Sequence, residues 1–259
     1  MNKKFLIGLG CFISLLYADI NQVAINATKS VQQRINHSHW SYSGDSGPEY
    51  WGDLKDEYFM CKEGKNQSPI NLNNMVEANL PKLNINYSGN AESIINNGHT
   101  IQVNTLGKNS IIMDGIKFTL KQFHFHTPSE NKIDGKQYPM EAHFVHADKN
   151  GNLLVLALMY EEGEEENRGL KKVIEQLPKE KHHKEALKEM FNPGDLLPKK
   201  LDYYRFNGSL TTPPCSEGVR WIVIKKPVIA TKAQLDVMRK ILGKNNRPIQ
   251  PLNARVILK

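Results

Sequence analysis

The chain has 259 residues, of which 39% are hydrophobic and 24% are charged, a composition typical of a soluble globular protein. It contains no internal repeat, and one large domain is expected because all-β folds often reach about 200–250 residues undivided. The 34 Lys and Arg residues exceed the 27 Asp and Glu residues and give a net charge of +7. Basic and acidic side chains are interleaved, as over 179–189, so no nucleic-acid partner is expected.

The first 18 residues have the pattern of a secretory signal peptide. Lys3 and Lys4 precede an uncharged run over 5–17, and Ala18 leads into polar sequence. We therefore predict a signal peptide at 1–18 and one mature domain at 19–259, exported to the periplasm or secreted; an uncleaved anchor is the alternative. After residue 20 no stretch approaches the roughly 20 apolar residues that span a bilayer, so stable membrane insertion is not expected.

Removal of the signal peptide leaves two cysteines, Cys61 and Cys215. An exported protein folds in an oxidising compartment, where such a pair favours a disulfide. Two free buried thiols are the alternative.

The predicted elements are mainly strands. Residues 41–69, rich in Gly, Pro and aromatics, are expected to be irregular. Short apolar runs with β-branched residues predict strands at 94–95, 100–103, 110–113, 118–125, 142–145, 153–160 and 219–224. The run at 153–160 is almost continuously apolar, which indicates a central strand covered on both faces. A helix is predicted at 231–242, capped by Thr231, with weaker helices at 169–177 and 184–191.

One predicted strand carries two histidines on the same face. Because side chains alternate along a strand, Gln122, His124 and His126 point to one side while Phe123 and Phe125 point to an apolar layer. A lone His-x-His pair is often explained by polar pairing on a solvated sheet face. The pair therefore needs a third ligand before it indicates a metal site.

A second strand supplies that candidate. Glu141, His143 and Val145 share one face of it, whereas His146 lies on the opposite face and is expected to make a structural hydrogen bond. Three neutral imidazoles suit Zn²⁺ and leave a fourth tetrahedral position open, which is typical of catalytic zinc. Gln122 beside His124, and Glu141 beside His143, are the expected acceptors for the ring N–H groups that do not face the metal.

The segment 209–221 is the third informative region. Thr211 and Thr212 precede two consecutive prolines, Pro213 and Pro214, so a rigid turn entering a strand is expected. The threonine hydroxyls are candidates for ligand contact, although in isolation they would more often bond their own backbone.

These motifs together resemble the α-carbonic anhydrases, and the spacing, signal peptide and cysteine pair are most similar to the bacterial, exported branch. The resemblance covers about 220 residues and rests on segments 39–42, 47–51, 66–70, 96–99, 122–126, 141–146, 209–221 and 245–248. It implies a mainly β (α+β) single domain: a large, twisted, mostly antiparallel central sheet with short peripheral helices. It also implies reversible hydration of carbon dioxide to bicarbonate and a proton by zinc-bound hydroxide, and a homodimer as one assembly.

The resemblance further assigns roles to individual residues. Thr211 would orient the nucleophile and donate a hydrogen bond to Glu130. His99 would carry the released proton to solvent. Asn245 would accept a hydrogen bond from His126. The implied substrate pocket consists of Val145, Val155, Leu210, Thr212 and Trp221, and all of these except Thr212 form its apolar wall. The residues implied to order waters on the proton path are Tyr42, Asn97 and Gln102. Cis peptide bonds are implied at Ser68-Pro69 and Pro213-Pro214.

Two other functions fit parts of this pattern. A related domain that has lost catalysis would serve in binding or adhesion, but such domains usually lack a zinc histidine, and all three are present here. A zinc hydrolase would share the activated water, but a narrow apolar pocket without an oxyanion array disfavours peptide substrates.

Overall fold

The computed structural model describes residues 39–259, which form a mostly β structure with few helices. Its strands are β1 Asn71–Leu72, β2 Asn84–Tyr87, β3 Ala91–Asn96, β4 Ile101–Thr105, β5 Asn109–Met113, β6 Ile116–His126, β7 Lys132–Ile133, β8 Lys136–Gln137, β9 Met140–Ala147, β10 Leu153–Glu162, β11 Lys184–Ala186, β12 Tyr203–Ser209, β13 Glu217–Ile224 and β14 Val228–Ala230. All seven predicted strands are present, and several are longer than predicted.

Eleven of these strands build one large sheet. Its main order is β11-β3-β4-β6-β9-β10-β13-β12, with β5 beside β6, β2 beside β5 and β14 beside β10. Strand β10 pairs in parallel with β13 and β14, and the other pairs of this sheet are antiparallel. The predicted mostly antiparallel central sheet is therefore confirmed. Strands β1, β7 and β8 form a separate small sheet.

The helices are short and peripheral: α1 Trp51–Leu54, α2 Met60–Glu63, α3 Arg168–Ile174 and α4 Lys232–Leu242, with 3₁₀ turns at Gly44–Ser46, Asp56–Tyr58 and Pro193–Leu196. Helix α4 begins where predicted, because Thr231 and Gln234 form a reciprocal capping box. Helix α3 covers much of the predicted 169–177. None of the helices within residues 39–259 is long and apolar enough to cross a membrane.

The predicted helix at 184–191 is wrong. Lys184–Ala186 forms strand β11 and pairs antiparallel with β3 at the edge of the large sheet. Leu187 and Phe191 then turn their side chains into the core. Pairing with an open sheet edge and burial of two large side chains outweigh the weak helix propensity of this segment.

The central strand β10 is covered on both faces, as predicted. Leu154, Leu156 and Leu158 lie in the core beneath helices α3 and α4. The alternate residues Val155, Ala157 and Met159 lie in a second core on the opposite face. The face of β10 that carries Val155 is also the face on which the candidate site is built.

The segment over 40–61 packs around Trp51 in a small core of its own and is joined covalently to the turn that precedes β13. Cys61 and Cys215 form a disulfide, which confirms the predicted pairing. The peptide bonds at Ser68-Pro69 and Pro213-Pro214 are cis as expected, and a third cis bond at Thr127-Pro128 was not predicted. The predicted signal peptide at 1–18 lies outside the described residues.

Candidate metal centre

The three predicted ligands converge on one face of the sheet. Strands β6 and β9 pair in a register that places His124 directly opposite His143, and His126 follows two residues later on the same face of β6. One ring nitrogen from each of the three histidines lies within 4.8 Å of the others. In the described part of the chain, no other group of His, Cys, Asp or Glu side chains has this arrangement.

The two histidines of β6 are oriented by oxygen acceptors. Nδ1 of His124 lies 2.8 Å from Oε1 of Gln122, and Nδ1 of His126 lies 2.7 Å from the backbone oxygen of Asn245. A carbonyl oxygen can only accept, so each Nδ1 carries the proton and each Nε2 keeps a free lone pair. Asn245 therefore contacts His126 as the resemblance implied, but through its main chain.

His143 is oriented the other way round. Its Nε2 lies 2.9 Å from Oε1 of Glu141, although the angle is too oblique for a regular hydrogen bond, and its Nδ1 faces the other histidines. Glu141 is itself anchored by the backbone N–H groups of Glu130 and Asn131 and by the Asn131 amide, at 2.7–2.8 Å. Burial raises the pKa of Glu141 to about 7, and these hydrogen bonds oppose that shift.

These residues fit a zinc ion. Nε2 of His126 is buried without a hydrogen-bond partner among the described residues, a costly arrangement unless another group meets it. Burial, together with neighbouring histidines for His124 and His143, lowers the pKa of all three imidazoles, so they are held in the neutral form that a metal requires. Three neutral nitrogens with oriented outer N–H groups are the donor set of catalytic zinc.

Glu130 is buried beside the three histidines. Its Oε1 accepts a 2.8 Å hydrogen bond from the backbone N–H of Arg247, and its Oε2 points toward the metal-facing nitrogens. Burial raises the pKa of Glu130 to about 8, while the Arg247 amide and the nearby Thr211 hydroxyl oppose that shift. Thr211 thus lies beside Glu130, although no hydrogen bond of regular geometry joins them.

Arg247 is a site residue that the sequence did not reveal. Its backbone N–H contacts Glu130, and its guanidinium donates hydrogen bonds to Gln67 and to the backbone carbonyls of Ser68 and Cys61, all at 2.8–2.9 Å. It is 1% exposed, so these contacts form a buried link between the disulfide region and Glu130. An arginine in a polar segment is expected to be exposed at the surface, and no local sequence pattern indicates that Arg247 is buried.

The predicted apolar wall is assembled by strand register. Val145 pairs with Val155, and Val155 pairs with Trp221, so the three side chains form one row across β9, β10 and β13. The next row along β9 holds His143, and its ring lies 5.0 Å from that of Trp221, edge to face. Leu210 packs into the same cluster, and the adjacent Thr212 is half-buried in the turn. The metal-facing nitrogens therefore border an apolar surface.

His99 is half-buried at the outer side of this region, on the turn between β3 and β4. Its ring stacks on Trp40, with ring centroids 3.7 Å apart and planes inclined by 12°. Burial lowers the pKa of His99, and the positive charges of His182 and His39 lower it further. His99 is not among the residues that could hold the metal.

Some of the residues expected to order waters already make hydrogen bonds within the protein. Oδ1 of Asn97 accepts from the backbone N–H groups of His99 and Thr100 at 3.0 and 2.8 Å, so only its amide N–H groups remain. Gln102 pairs with His124 across β4 and β6 and donates to Asn104. Tyr42 has a raised pKa from burial and from the charge of Glu130.

Comparisons with known proteins agree on one family. The family model for eukaryotic-type carbonic anhydrase matches residues 46–259. A carbonic anhydrase of Neisseria gonorrhoeae is 49% identical over 225 residues, which is 86% of this chain and 88% of that protein. The solved α-carbonic anhydrase of Photobacterium profundum is 52% identical, with a TM-score of 0.82 over 85% of this chain and 100% of its own. The α-carbonic anhydrase of Thermovibrio ammonificans, solved with the inhibitor sulfanilamide, is 54% identical with a TM-score of 0.82 over 85% and 99%.

Proposed function

The chain belongs to the α-carbonic anhydrase family, and we propose that His124, His126 and His143 hold the zinc ion with which it works. The protein is a zinc enzyme that interconverts carbon dioxide and bicarbonate. The observation that carries the ligand assignment is the convergence of three ring nitrogens within 4.8 Å, each on a ring whose other nitrogen faces an oxygen acceptor. The acceptors fix which nitrogen is free.

The zinc ion, when bound, supplies the Lewis acidity that makes water a nucleophile at neutral pH, chemistry for which carbonic anhydrase is the standard example. The protein's own part is to orient that water and its substrate. Glu130, when ionised, accepts a hydrogen bond from the Thr211 hydroxyl. The Thr211 oxygen can then only accept a hydrogen bond from the attacking water, and this fixes the orientation of that water.

The apolar row beside the histidines holds the carbon dioxide. This substrate has no net charge and no dipole, so Val145, Val155, Leu210 and Trp221 suit it better than polar side chains would. The indole N–H of Trp221 donates to the Ser209 carbonyl at 3.0 Å, so its polar group is satisfied away from the wall. Thr212, in the turn next to Leu210, would hydrogen-bond the product.

His99 exports the proton that each hydration releases. Imidazole is the side chain whose charge changes most readily near neutral pH. Tyr42, Asn97 and Gln102 order the waters between the reaction centre and His99. The half-buried position of His99 on its turn supports this role, because the ring keeps access to solvent without being fully exposed.

Replacing each of His124, His126 and His143 by Ala tests the ligand assignment. Each variant should bind less zinc and lose carbon dioxide hydration together, because each removes one of three ligands. The exposed His183 provides the control, and His183→Ala should keep both. If a ligand variant retains one zinc per chain and the wild-type rate, that histidine is not a ligand.

The shuttle is tested with His99→Ala. This variant should slow steady-state hydration in weakly buffered solution, while the exchange between carbon dioxide and bicarbonate at chemical equilibrium stays at the wild-type rate. Added imidazole buffer should restore the steady-state rate by carrying the proton itself. Equal loss in both assays, or no rescue by buffer, would contradict the shuttle while leaving the zinc site intact.

Two further parts of the proposal concern location and assembly. The disulfide and the bacterial relatives suggest export, and we propose a periplasmic or secreted protein with cleavage after residue 18 and one catalytic domain over 19–259. N-terminal sequencing of the exported protein tests the cleavage. A homodimer is proposed from the resemblance alone, and light scattering during gel filtration tests it.

A further inference from the structure

The loop that carries His182 lies against the turn that carries His99. Lys181 forms a parallel bridge with Asn96, and the backbone N–H of His182 donates to the Asn96 carbonyl at 2.6 Å. Strand β11 begins two residues later and pairs with β3. Backbone hydrogen bonds therefore fix the position of His182 relative to the turn over 97–99.

The ring of His182 occupies the space beside Gly98, the residue that precedes His99. A Cβ atom added to Gly98 would lie 2.6 Å from Cε1 and 3.1 Å from Nε2 of His182. Gly98 has a φ of +88° and His182 a φ of +62°. Glycine adopts this left-handed region freely, and histidine is among the few other residues that are enriched there. The turn thus leaves room for an imidazole that a side chain at position 98 would exclude.

The two imidazoles belong to the same turn region, because the ring of His182 lies beside Gly98, the residue that adjoins His99. The positive charge of His182 is one of the causes that lower the pKa of His99, after burial and ahead of His39. The two rings differ in their access to solvent: His99 is half-buried and stacked on Trp40, whereas His182 is exposed. A proton on His182 therefore meets buffer molecules more readily than a proton on His99.

We propose that His182 is an outer proton relay, which takes the proton from His99 and passes it to a base in solution. The N–H bond of the His99 imidazolium breaks as an N–H bond forms on the free ring nitrogen of His182, directly or through one water. His99 is then neutral again, and the His182 imidazolium loses its proton to buffer. The relay rests on the proposed shuttle role of His99 and extends its path by one step. Transfer between two imidazoles costs little, because donor and acceptor are chemically alike.

The test uses His182→Asn in the full-length mature enzyme. Asparagine tolerates positive φ better than other non-glycine residues, so the loop keeps its backbone while the titrating ring is lost. The matched control is His183→Asn, which removes the neighbouring exposed histidine. His183 is not among the groups that shift the pKa of His99.

In weakly buffered solution, His182→Asn should lower steady-state carbon dioxide hydration about twofold to fivefold, a part of the contribution typical of acid–base groups. Exchange between carbon dioxide and bicarbonate at chemical equilibrium should be unchanged, and imidazole buffer should restore the steady-state rate. His183→Asn should match the wild type. Because the relay acts in series with His99, adding His182→Asn to His99→Ala should slow the enzyme no further.

Three results would overturn the relay while the proposed function stands. They are a rate for His182→Asn equal to that of His183→Asn, a loss that imidazole does not restore, and a further loss in the double variant, which would show that His182 acts without His99. If His99→Ala itself shows no buffer-dependent loss, the shuttle fails and the relay fails with it. Absence of hydration by the zinc-loaded wild type would instead contradict the enzyme activity.

Discussion

Oε2 of Glu130 lies 3.6 Å from Nε2 of His126, and neither atom has a hydrogen-bond partner among residues 39–259. Both residues are 1% exposed. Two unpartnered polar atoms so deeply buried would destabilise the fold unless other groups meet them. In the proposed site, a cation held by the three histidines would contact His126, and the Thr211 hydroxyl would contact Glu130. In the proposed mechanism, this pair of atoms would therefore connect metal binding with orientation of the water.

The first prediction concerns Glu130. Glu130→Gln should lower the turnover number on the order of a hundredfold, as loss of one oriented hydrogen bond does in other enzymes. The amide can donate to Thr211, which would turn the Thr211 proton toward the attacking water. Zinc content should stay at one per chain. Stopped-flow hydration measures the rate, and the exposed Glu164→Gln is the control; wild-type turnover in Glu130→Gln would contradict the role of this pair.

The second prediction concerns Glu141, the acceptor beside His143. Glu141→Ala should weaken zinc binding about 10-fold to 100-fold, because His143 loses the group that orients its ring. Glu141→Gln keeps an acceptor oxygen and should lose less. Competition with a chromogenic chelator measures the affinity, and thermal melting checks that both variants fold. Equal affinity in the wild type and Glu141→Ala would show that His143 is oriented by other contacts.

The sequence was sufficient for the centre of this site because two strands carry its ligands. Alternation along β6 and β9 places His124, His126 and His143 on one face, and register brings them together. It was insufficient where contacts are distant in sequence. Arg247 reaches Gln67 and Cys61, which lie 180 and 186 residues away, and no local pattern encodes such contacts.

The same limit explains the errors in the predicted elements. Strand β12 was missed because its segment Tyr203–Ser209 combines aromatic residues with Arg, Asn and Gly, and has neither a continuous apolar run nor clear alternation. It exists as a strand because it pairs along β13. Strand β11 likewise depends on β3, so its state is decided by tertiary pairing.

The third prediction concerns acid stability. His146 is fully buried, contacts the Tyr87 hydroxyl at 2.7 Å, and has its pKa lowered by burial to about 4. In the unfolded chain a histidine titrates near 6.5. Above that pH, His146 is neutral in both the folded and the unfolded state, and it does not affect stability. As the pH falls from about 6.5 to about 4, His146 becomes protonated in the unfolded state but stays neutral in the folded state. The free energy of unfolding should therefore decrease by about 3 kcal/mol from this group.

Urea unfolding at pH 7 and at pH 4 checks this, with His146→Gln as the comparison. The variant loses packing and is less stable at pH 7, but it lacks the titrating ring, so its stability should fall less between the two pH values. The exposed His183→Gln controls for removal of a histidine. Equal pH dependence in the wild type and His146→Gln would contradict the prediction.

The fourth prediction concerns the disulfide between Cys61 and Cys215, which are 154 residues apart. A loop of that length restricts the unfolded chain strongly, and the chain-entropy model gives about 5 kcal/mol as an upper figure. Cys61→Ser with Cys215→Ser should therefore lower the free energy of unfolding by about 2–5 kcal/mol. Urea unfolding measures it under oxidising conditions. Addition of a reductant should destabilise the wild type and leave the double variant unchanged; no difference between the two proteins would contradict the prediction.

The most direct test of the catalytic zinc centre is stopped-flow carbon dioxide hydration by the mature protein. Zinc is first removed with a chelator and is then added back in steps. We expect no activity above the buffer rate without zinc, a linear rise as zinc is added, and a plateau at one zinc per chain. The His143→Ala variant should stay near the buffer rate throughout the same titration. Hydration by the zinc-free protein, or no hydration with one zinc bound, would contradict a catalytic zinc centre at His124, His126 and His143.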